Sequence, residues 1–339
     1  MSFDNIVQSF TNTNFQDADN ALSQTDNIDY EGDNQQRKRI SKQQQTILIE
    51  LENIDKQYNL NIAQTYKNIT KGFIFYNEDE PIEYITITRG CPYKCSYCSI
   101  PVGRGGEYNS VPLGDIIDKI NSAKIKNINK ILLLGDEIGN YGLGTNGLDL
   151  SELLNHILKD KSLKLAIRYL EPKPFLQHYQ TIKKYCENGQ IQLLYLPLQS
   201  GSNKILKLMN RSYEINNDLI EKILYLKKNT NVIFYTNWMV GFNSETDIDF
   251  QSTIDLVKQL DLHINTIIPF SERPNTKATE ISNKITIKDK EIRYKKLFNI
   301  VQNLKRKRLA LGLKSIGNIK REDIINRIIE AEDTSMQFD

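Results

Sequence analysis

From Glu83 onward the sequence alternates between short apolar, β-branched runs and longer segments of helical periodicity, and this alternation constrains the fold more than any other feature. The strand-like runs are Tyr84–Thr88, Lys130–Leu134, Leu163–Tyr169, Gln190–Leu196, Asn231–Val240 and His263–Ile268. Helices are expected over Val111–Lys124, Leu150–Lys159, Pro174–Glu187, Asn216–Lys228, Asp247–Leu260 and Asp289–Leu311. Strands that alternate with helices pair in parallel, and apolar strands of this kind are buried on both faces. Six units are too few for the closed eight-fold barrel. The expected fold class is therefore α/β, a partial (β/α)6 barrel with a short helical N-terminal extension. Its chemistry belongs at the C-terminal strand ends, where Gly90, Gly135, Pro197 and Gly241 punctuate the sequence.

The flanks differ in composition. Residues 1–36 hold seven acidic side chains and no Lys or Arg, which leaves 44 basic and 35 acidic residues, a net charge of +9, for the rest. An Asn-, Gln- and Asp-rich segment buries too little apolar surface to offset its ordering entropy, so residues 1–40 are expected to form a disordered acidic leader. Ile47, Leu48, Leu51, Ile54 and Tyr58 recur at helical steps, placing an amphipathic helix in an extension over residues 41–82. The core spans 83–312, and a C-terminal helix and tail span 313–339. The overall charge of +2 excludes a strongly basic coat protein for nucleic acid. The basic run Lys305–Arg308 reads as a solvated helix face. No apolar run approaches the roughly 18 residues of a membrane helix, and the start shows no secretory pattern, so a cytoplasmic location is expected.

Four cysteines in 339 residues exclude a disulfide scaffold. Three of them, Cys91, Cys95 and Cys98, lie in one loop after the first strand. A structural zinc site wants four ligands, usually in paired knuckles, and the chain's three histidines (His156, His178, His263) are far from this loop in sequence. An iron–sulfur cluster ordinarily takes four thiolates, so three leave one iron open, as a catalytic centre requires. Cys186 sits in a helical pattern and reads as a half-buried packing thiol.

The Cys-x-x-x-Cys-x-aromatic-Cys loop resembles the signature of the radical S-adenosylmethionine (SAM) enzymes. That resemblance implies one [4Fe-4S] cluster on Cys91, Cys95 and Cys98, with SAM chelated at the open iron and Tyr97 near its adenine. It also implies reductive cleavage of SAM to methionine and a 5′-deoxyadenosyl radical. Leu196–Arg211, with its Leu-Pro-Leu-Gln-Ser-Gly start, is similar to a stretch of the methylthiotransferases. So are Ile100-Pro101 with Arg104–Glu107, Gly135–Gly142, Arg168 to Glu171-Pro172, Val240-Gly241-Phe242 with Glu245-Thr246, and Arg273–Thr276. The chain departs from that family at Asn237, where the family often has Asp, at Asn243-Ser244, which replace a usual Pro-Gly, and in both flanks. Residues 1–82 contain no cysteine for the family's second cluster, and only 26 residues follow Leu313, where its RNA-binding β-barrel would lie.

In this setting Gly135, Asp136 and Glu137 offer acceptors to the SAM ammonium at a strand end, with Gly135 permitting close backbone approach. Gln199 and Ser200 offer hydrogen bonds to ribose hydroxyls. Gly201 and Ser202 open a short helix whose N-terminus favours a carboxylate. Arg168 is a forked donor for a carboxylate. Val240, Gly241 and Phe242 offer backbone edges to adenine. The expected activity is hydrogen abstraction from a peptide or small metabolite, with an electron donor such as flavodoxin or ferredoxin. The alternatives are a methylthiotransferase acting on tRNA or protein with sulfur or a second cluster from a partner, and a non-catalytic iron–sulfur protein.

Overall fold

The computed structural model describes residues 81–144 and 147–312. Residues 80–304 form one compact unit, and residues 1–79 with 305–339 fall to a second. The acidic leader, the helix expected within 41–82 and the C-terminal helix lie outside the described residues.

Six strands form a single parallel sheet in the order β1 (Ile82–Thr86), β4 (Lys130–Leu134), β5 (Lys164–Ile167), β6 (Ile191–Tyr195), β7 (Ile233–Val240) and β8 (Ile264–Pro269). Two short strands, β2 (Thr88–Arg89) and β3 (Asn109–Ser110), pair antiparallel beside it. Helices alternate with the strands: α1 (Ile100–Gly103), α2 (Leu113–Ile125), α3 (Leu150–Ile157), α4 (Pro172–Gln177), α5 (Tyr179–Glu187), α6 (Asn203–Leu208), α7 (Asn217–Asn229), α8 (Asp247–Leu260) and α9 (Ile287–Gly312). This is the expected α/β partial barrel, with each β-strand of the sheet beside its sequence neighbour.

Register divides the sheet into two faces. Ile85, Leu133, Ile167, Leu194 and Phe234 stand opposite one another across five strands, and all are fully buried. Paired residues of parallel strands share a face. This row packs in one cluster with Ile116 and Ile120 of α2, Leu150 and Leu154 of α3, Ile182 of α5, Ile223 of α7 and Ile254 of α8. The next row, Thr86, Leu134, Tyr195, Tyr235 and Ile264, points the other way, into the lumen. All but Tyr195 are only half buried, so the lumen is less tightly filled at this level, whereas the lumen row below it, Leu132, Ala166, Leu193 and Ile233, is buried.

Two elements differ from expectation. The first strand ends at Thr86, because Thr88 and Arg89 turn away to pair with Ser110 and Asn109. The helix expected over Pro174–Glu187 is two helices broken at His178, which caps both. The apolar spacing hides the break, since Phe175, Tyr179, Ile182 and Cys186 keep helical steps across it and all are buried. The basic run Lys305–Arg308 lies on α9, with Arg306 and Lys307 exposed. Among the described residues no helix is long and apolar enough to cross a membrane.

Truncating the helix-facing row should be costly. Leu194→Ala is expected to lower stability by about 2–5 kcal/mol in urea unfolding of the metal-free protein. Leu134→Ala, in the half-buried lumen row, should cost clearly less; equal costs would contradict the assignment of the two faces.

Candidate active site

The cysteine loop leaves the sheet at Gly90, where no other residue fits. Gly90 has φ +78°, and a Cβ there would stand 1.8 Å from the Glu107 carbonyl oxygen. Its N–H donates to Asp136 Oδ2 at 2.8 Å. From Cys91 to Ser99 the backbone is outside regular structure, and its groups are held from three directions. The C-terminal end of α6 takes Ser96 N–H on the Met209 carbonyl at 2.9 Å and Ser96 Oγ–H on the Leu208 carbonyl at 2.8 Å. Asn210 Nδ2 donates to the Lys94 carbonyl at 2.6 Å. The β4 loop reaches in through Asn140, whose Nδ2 donates to Tyr93 Oη at 3.0 Å. The loop after β8 contributes Ala278 N–H to the Ser96 carbonyl at 2.8 Å and Arg273 Nη1–H to Ser99 Oγ at 3.1 Å.

Cys91, Cys95 and Cys98 are free thiols and half buried. Burial pushes the Cys91 thiol up to about 12 and raises that of Cys95, where Arg211 acts in the opposite direction. Such thiols stay protonated near neutral pH until a metal displaces the proton, so metal binding and deprotonation are coupled here. Among the described residues no three His, Cys, Asp or Glu side chains are close enough together to hold a single ion. A cluster asks less of the three thiols, because each binds a different iron. The soft, three-thiol donor set fits an iron–sulfur group.

The aromatic residue of the loop reaches across the mouth. The Tyr97 ring meets Phe242, after β7, edge-on with centroids 6.3 Å apart, and Phe242 packs on Phe270, after β8, at 4.7 Å. Gln199, after β6, sits between these elements. It has φ +61°, its N–H donates to the Asn237 carbonyl and its carbonyl accepts from Met239 N–H, each at 2.8 Å. Its buried Oε1 has no hydrogen-bond partner. A buried acceptor left unpaired at a strand end is the arrangement a bound ligand's hydroxyl or amine completes. Below the mouth, the Tyr195 ring lies between those of Tyr169 and Tyr235, at centroid distances of 4.5 and 4.3 Å.

Several expected ligand groups are engaged within the protein. A Cβ at Gly135 would stand 1.9 Å from Thr88 Oγ1, so this glycine lets two strand ends meet. Asp136 holds Gly90 N–H and lies 3.4 Å from Arg104 Nε. Glu137 is buried, and burial raises its pKa; its oxygens accept from Gly139 N–H at 2.7 Å and from Asn140 N–H and Nδ2 at 3.0 and 2.6 Å. Arg168 lies over the Tyr169 and Tyr195 rings, and its Nη2 donates to Tyr169 Oη at 3.1 Å. The Ser200 hydroxyl is fully buried, bonded to Thr253 Oγ1 at 3.2 Å and accepting Ser202 N–H at 3.1 Å, and so holds the turn. Gly201 N–H donates to Thr253 Oγ1 at 3.0 Å, and its missing side chain makes room for the Ser252 carbonyl, 2.3 Å from where a Cβ would be. Ser202 caps α6, accepting from Ile205 N–H. Val240 accepts Phe270 N–H on its carbonyl, and Gly241 N–H donates to Glu245 Oε2 at 2.7 Å. The Gly241 N–H is therefore engaged within the turn, and the Phe242 ring lies beside it.

The chain matches the radical SAM superfamily over residues 85–257. It belongs to the radical SAM superfamily. The cofactors of this radical SAM enzyme are those of its superfamily, a [4Fe-4S] cluster and SAM. Its core is also 32% identical over 220 residues to a tRNA-2-methylthio-N(6)-dimethylallyladenosine synthase of Bdellovibrio bacteriovorus, covering 64% of this chain and 48% of that protein. A synthase of the same name from Petrotoga mobilis is 36% identical over 233 residues, covering 66% and 52%. The chain thus spans about half the length of the curated relatives it matches. Among solved structures, the radical SAM methyltransferase TsrM of Kitasatospora setae, with cobalamin and a [4Fe-4S] cluster bound, superposes with a TM-score of 0.50. It is 14% identical, and the match covers 77% of this chain and 63% of that one, a likeness of fold alone.

Sequence reasoning assigned no role to Arg211, Glu171 or Asp249. Arg211 and Glu171 form a buried ion pair beside Cys95. Asp249 ties α8 to the Gln199–Ser202 turn. It accepts from Ser202 Oγ at 2.7 Å, Lys204 Nζ at 2.6 Å, and Thr246 N–H and Oγ1 at 2.9 and 2.6 Å. Its spacing from Thr246, a Thr-x-x-Asp capping box, was legible in advance. Burial alone would raise the Asp249 carboxyl, but these hydrogen bonds hold it below the usual carboxylate range.

Two outcomes follow. Gly90→Ala should keep the far-ultraviolet circular dichroism of the fold yet lose most iron uptake on anaerobic reconstitution; wild-type iron content would show that the loop does not need this close approach. Asp249 stabilises the fold above the unfolded carboxyl pKa of about 3.9, and that contribution is lost as pH falls toward the depressed folded value. Asp249→Asn is thus expected to cost about 1–3 kcal/mol at pH 7 and to flatten the acid limb of the stability profile; an unchanged acid limb would remove Asp249 from that role.

Proposed function

We propose that this chain generates a 5′-deoxyadenosyl radical at the C-terminal mouth of the sheet and uses it to abstract hydrogen from a substrate in the lumen. The observation that carries this reading is the clamping of the three-thiol loop over the strand ends, with Tyr97 against Phe242 and Arg211 on Cys95. Cys91, Cys95 and Cys98 would hold three irons and leave the fourth open. When bound, the cluster supplies the electron that breaks a carbon–sulfur bond of SAM, releasing methionine and the radical. Tyr97 and Phe242 form an aromatic wall at the mouth, and Gln199 offers its unpaired Oε1 to a ligand hydroxyl or amine. Glu137 and Asp136 hold the loops that frame the site, which keeps the thiols in place while SAM binds. The lumen tyrosines Tyr169, Tyr195 and Tyr235 provide a floor on which a planar group of a peptide or small metabolite stacks. A low-potential electron donor such as flavodoxin or ferredoxin supplies the electron.

A second reading is favoured by the identity of the core to the two tRNA-modifying synthases: methylthiolation of an adenosine in tRNA. It requires sulfur. The only cysteine of this sequence outside the loop, Cys186, is 1% exposed in the core, so the sulfur or second cluster would come from a partner.

Anaerobic reconstitution should give about four irons and four sulfides per chain. Incubation with SAM and dithionite should then release 5′-deoxyadenosine and methionine, and the Cys91→Ala, Cys95→Ala, Cys98→Ala triple variant should release neither. Equal yields from the variant would sink the proposal. Added tRNA separates the two readings when the assay also contains sulfide and an anaerobic cell extract able to supply the partner: a methylthio mark on adenosine selects the second, and 5′-deoxyadenosine release with no mark selects the first.

A further inference from the structure

Arg211 follows α6, and its side chain is 6% exposed. Its guanidinium is surrounded by named acceptors. Nη2 pairs with the Glu171 carboxylate and donates to the Pro197 carbonyl at 3.0 Å. Nη1 donates to Tyr97 Oη at 3.0 Å and to Cys95 Sγ at 3.6 Å, a separation suited to the larger sulfur atom. The Tyr213 ring lies 5.4 Å from Cζ. The Glu171 side chain is 5% exposed, so both charges are shielded from water.

We infer that Arg211, counterbalanced by Glu171, sets the electron affinity of the iron–sulfur group that Cys95 holds. The inference rests on the reading of Cys95 as a cluster ligand. A group that takes up one electron from an external low-potential reductant gains one negative charge. An N–H donor on its sulfur ligand and a positive charge beside it stabilise that reduced form, and low dielectric strengthens both effects. A carboxylate beside the guanidinium opposes them. Arginine cannot deprotonate within the working range; burial pushes the Glu171 carboxyl up to about 7, so the two variants are compared above that pH, where it is a carboxylate. Glu171 also anchors the fork, which makes it a positioning residue for Arg211.

The two partners therefore predict shifts of opposite sign. Full-length chains carrying Arg211→Gln or Glu171→Gln are reconstituted anaerobically, counted for iron and sulfide, and titrated for reduction potential by electron paramagnetic resonance without SAM. At wild-type iron content, Arg211→Gln should disfavour reduction at least tenfold, which for a one-electron couple is about 59 mV toward more negative potential. Glu171→Gln should shift the equilibrium the other way. A merely structural pair would leave both potentials unmoved or shift them in the same direction, and either result overturns the inference. If Arg211→Gln fails to hold iron, Glu171→Gln decides alone: a positive shift supports the inference, and an unchanged or negative one overturns it. Absence of iron in the wild-type chain would instead refute the cluster reading beneath it.

Discussion

The segment between Gly90 and Ser99 is half buried but belongs to no helix or strand, so its backbone cannot satisfy itself. A buried peptide group left unpaired costs about as much as a lost hydrogen bond, and a loop of this length contains many. The arrangement of the mouth follows from that constraint. Ser96 alone is bonded to Met209, Leu208 and Ala278, which come from two other βα units. The loop that carries the thiols is thus fixed by elements far apart in sequence, and each of those elements must end at the same level. A parallel sheet meets this requirement because all its C-terminal strand ends face one side.

The glycines of the mouth are part of the same constraint. Gly90, Gly135 and Gly201 would each place a Cβ within 2.3 Å of another residue's oxygen. At Gly90 and Gly201 the close neighbour is another backbone, and at Gly135 it is the Thr88 side chain. The buried pair Arg211–Glu171 works differently. Losing one partner of such a pair costs about 3–5 kcal/mol, whereas replacing both by apolar groups is often neutral. Stability alone therefore does not explain its presence next to a sulfur ligand.

Much of the fold was legible because the strands are continuous apolar runs and the helices carry regular apolar steps. Asp247–Leu260 agrees end to end, its start fixed by the Thr246 cap and its end by Asp261 in the left-handed conformation. The break at His178 was hidden, since apolar periodicity passes through it. The three thiols were legible as a spacing. The roles of individual polar groups were not. Ser200 and Gly241 carry the right donors in the right motifs, but which partner takes them depends on Thr253 and Glu245, brought close only by folding. Arg211 lay within a recognised stretch, yet nothing local says that its fork reaches Glu171, Tyr97 and Cys95 together.

Cys186 gives the chain a second use for its thiols. It is sealed among core side chains, and burial drives its thiol well above the ordinary range, whereas the other three line an accessible loop. Burial raises the loop thiols Cys91 and Cys95 as well, so access to an alkylating reagent, and not thiolate character, separates the two classes. In metal-free protein the loop thiols therefore report the state of the mouth, while Cys186 is modified only when the barrel itself opens. With no other cysteine in the sequence, a single labelling experiment reads cluster occupancy and global unfolding as separate signals.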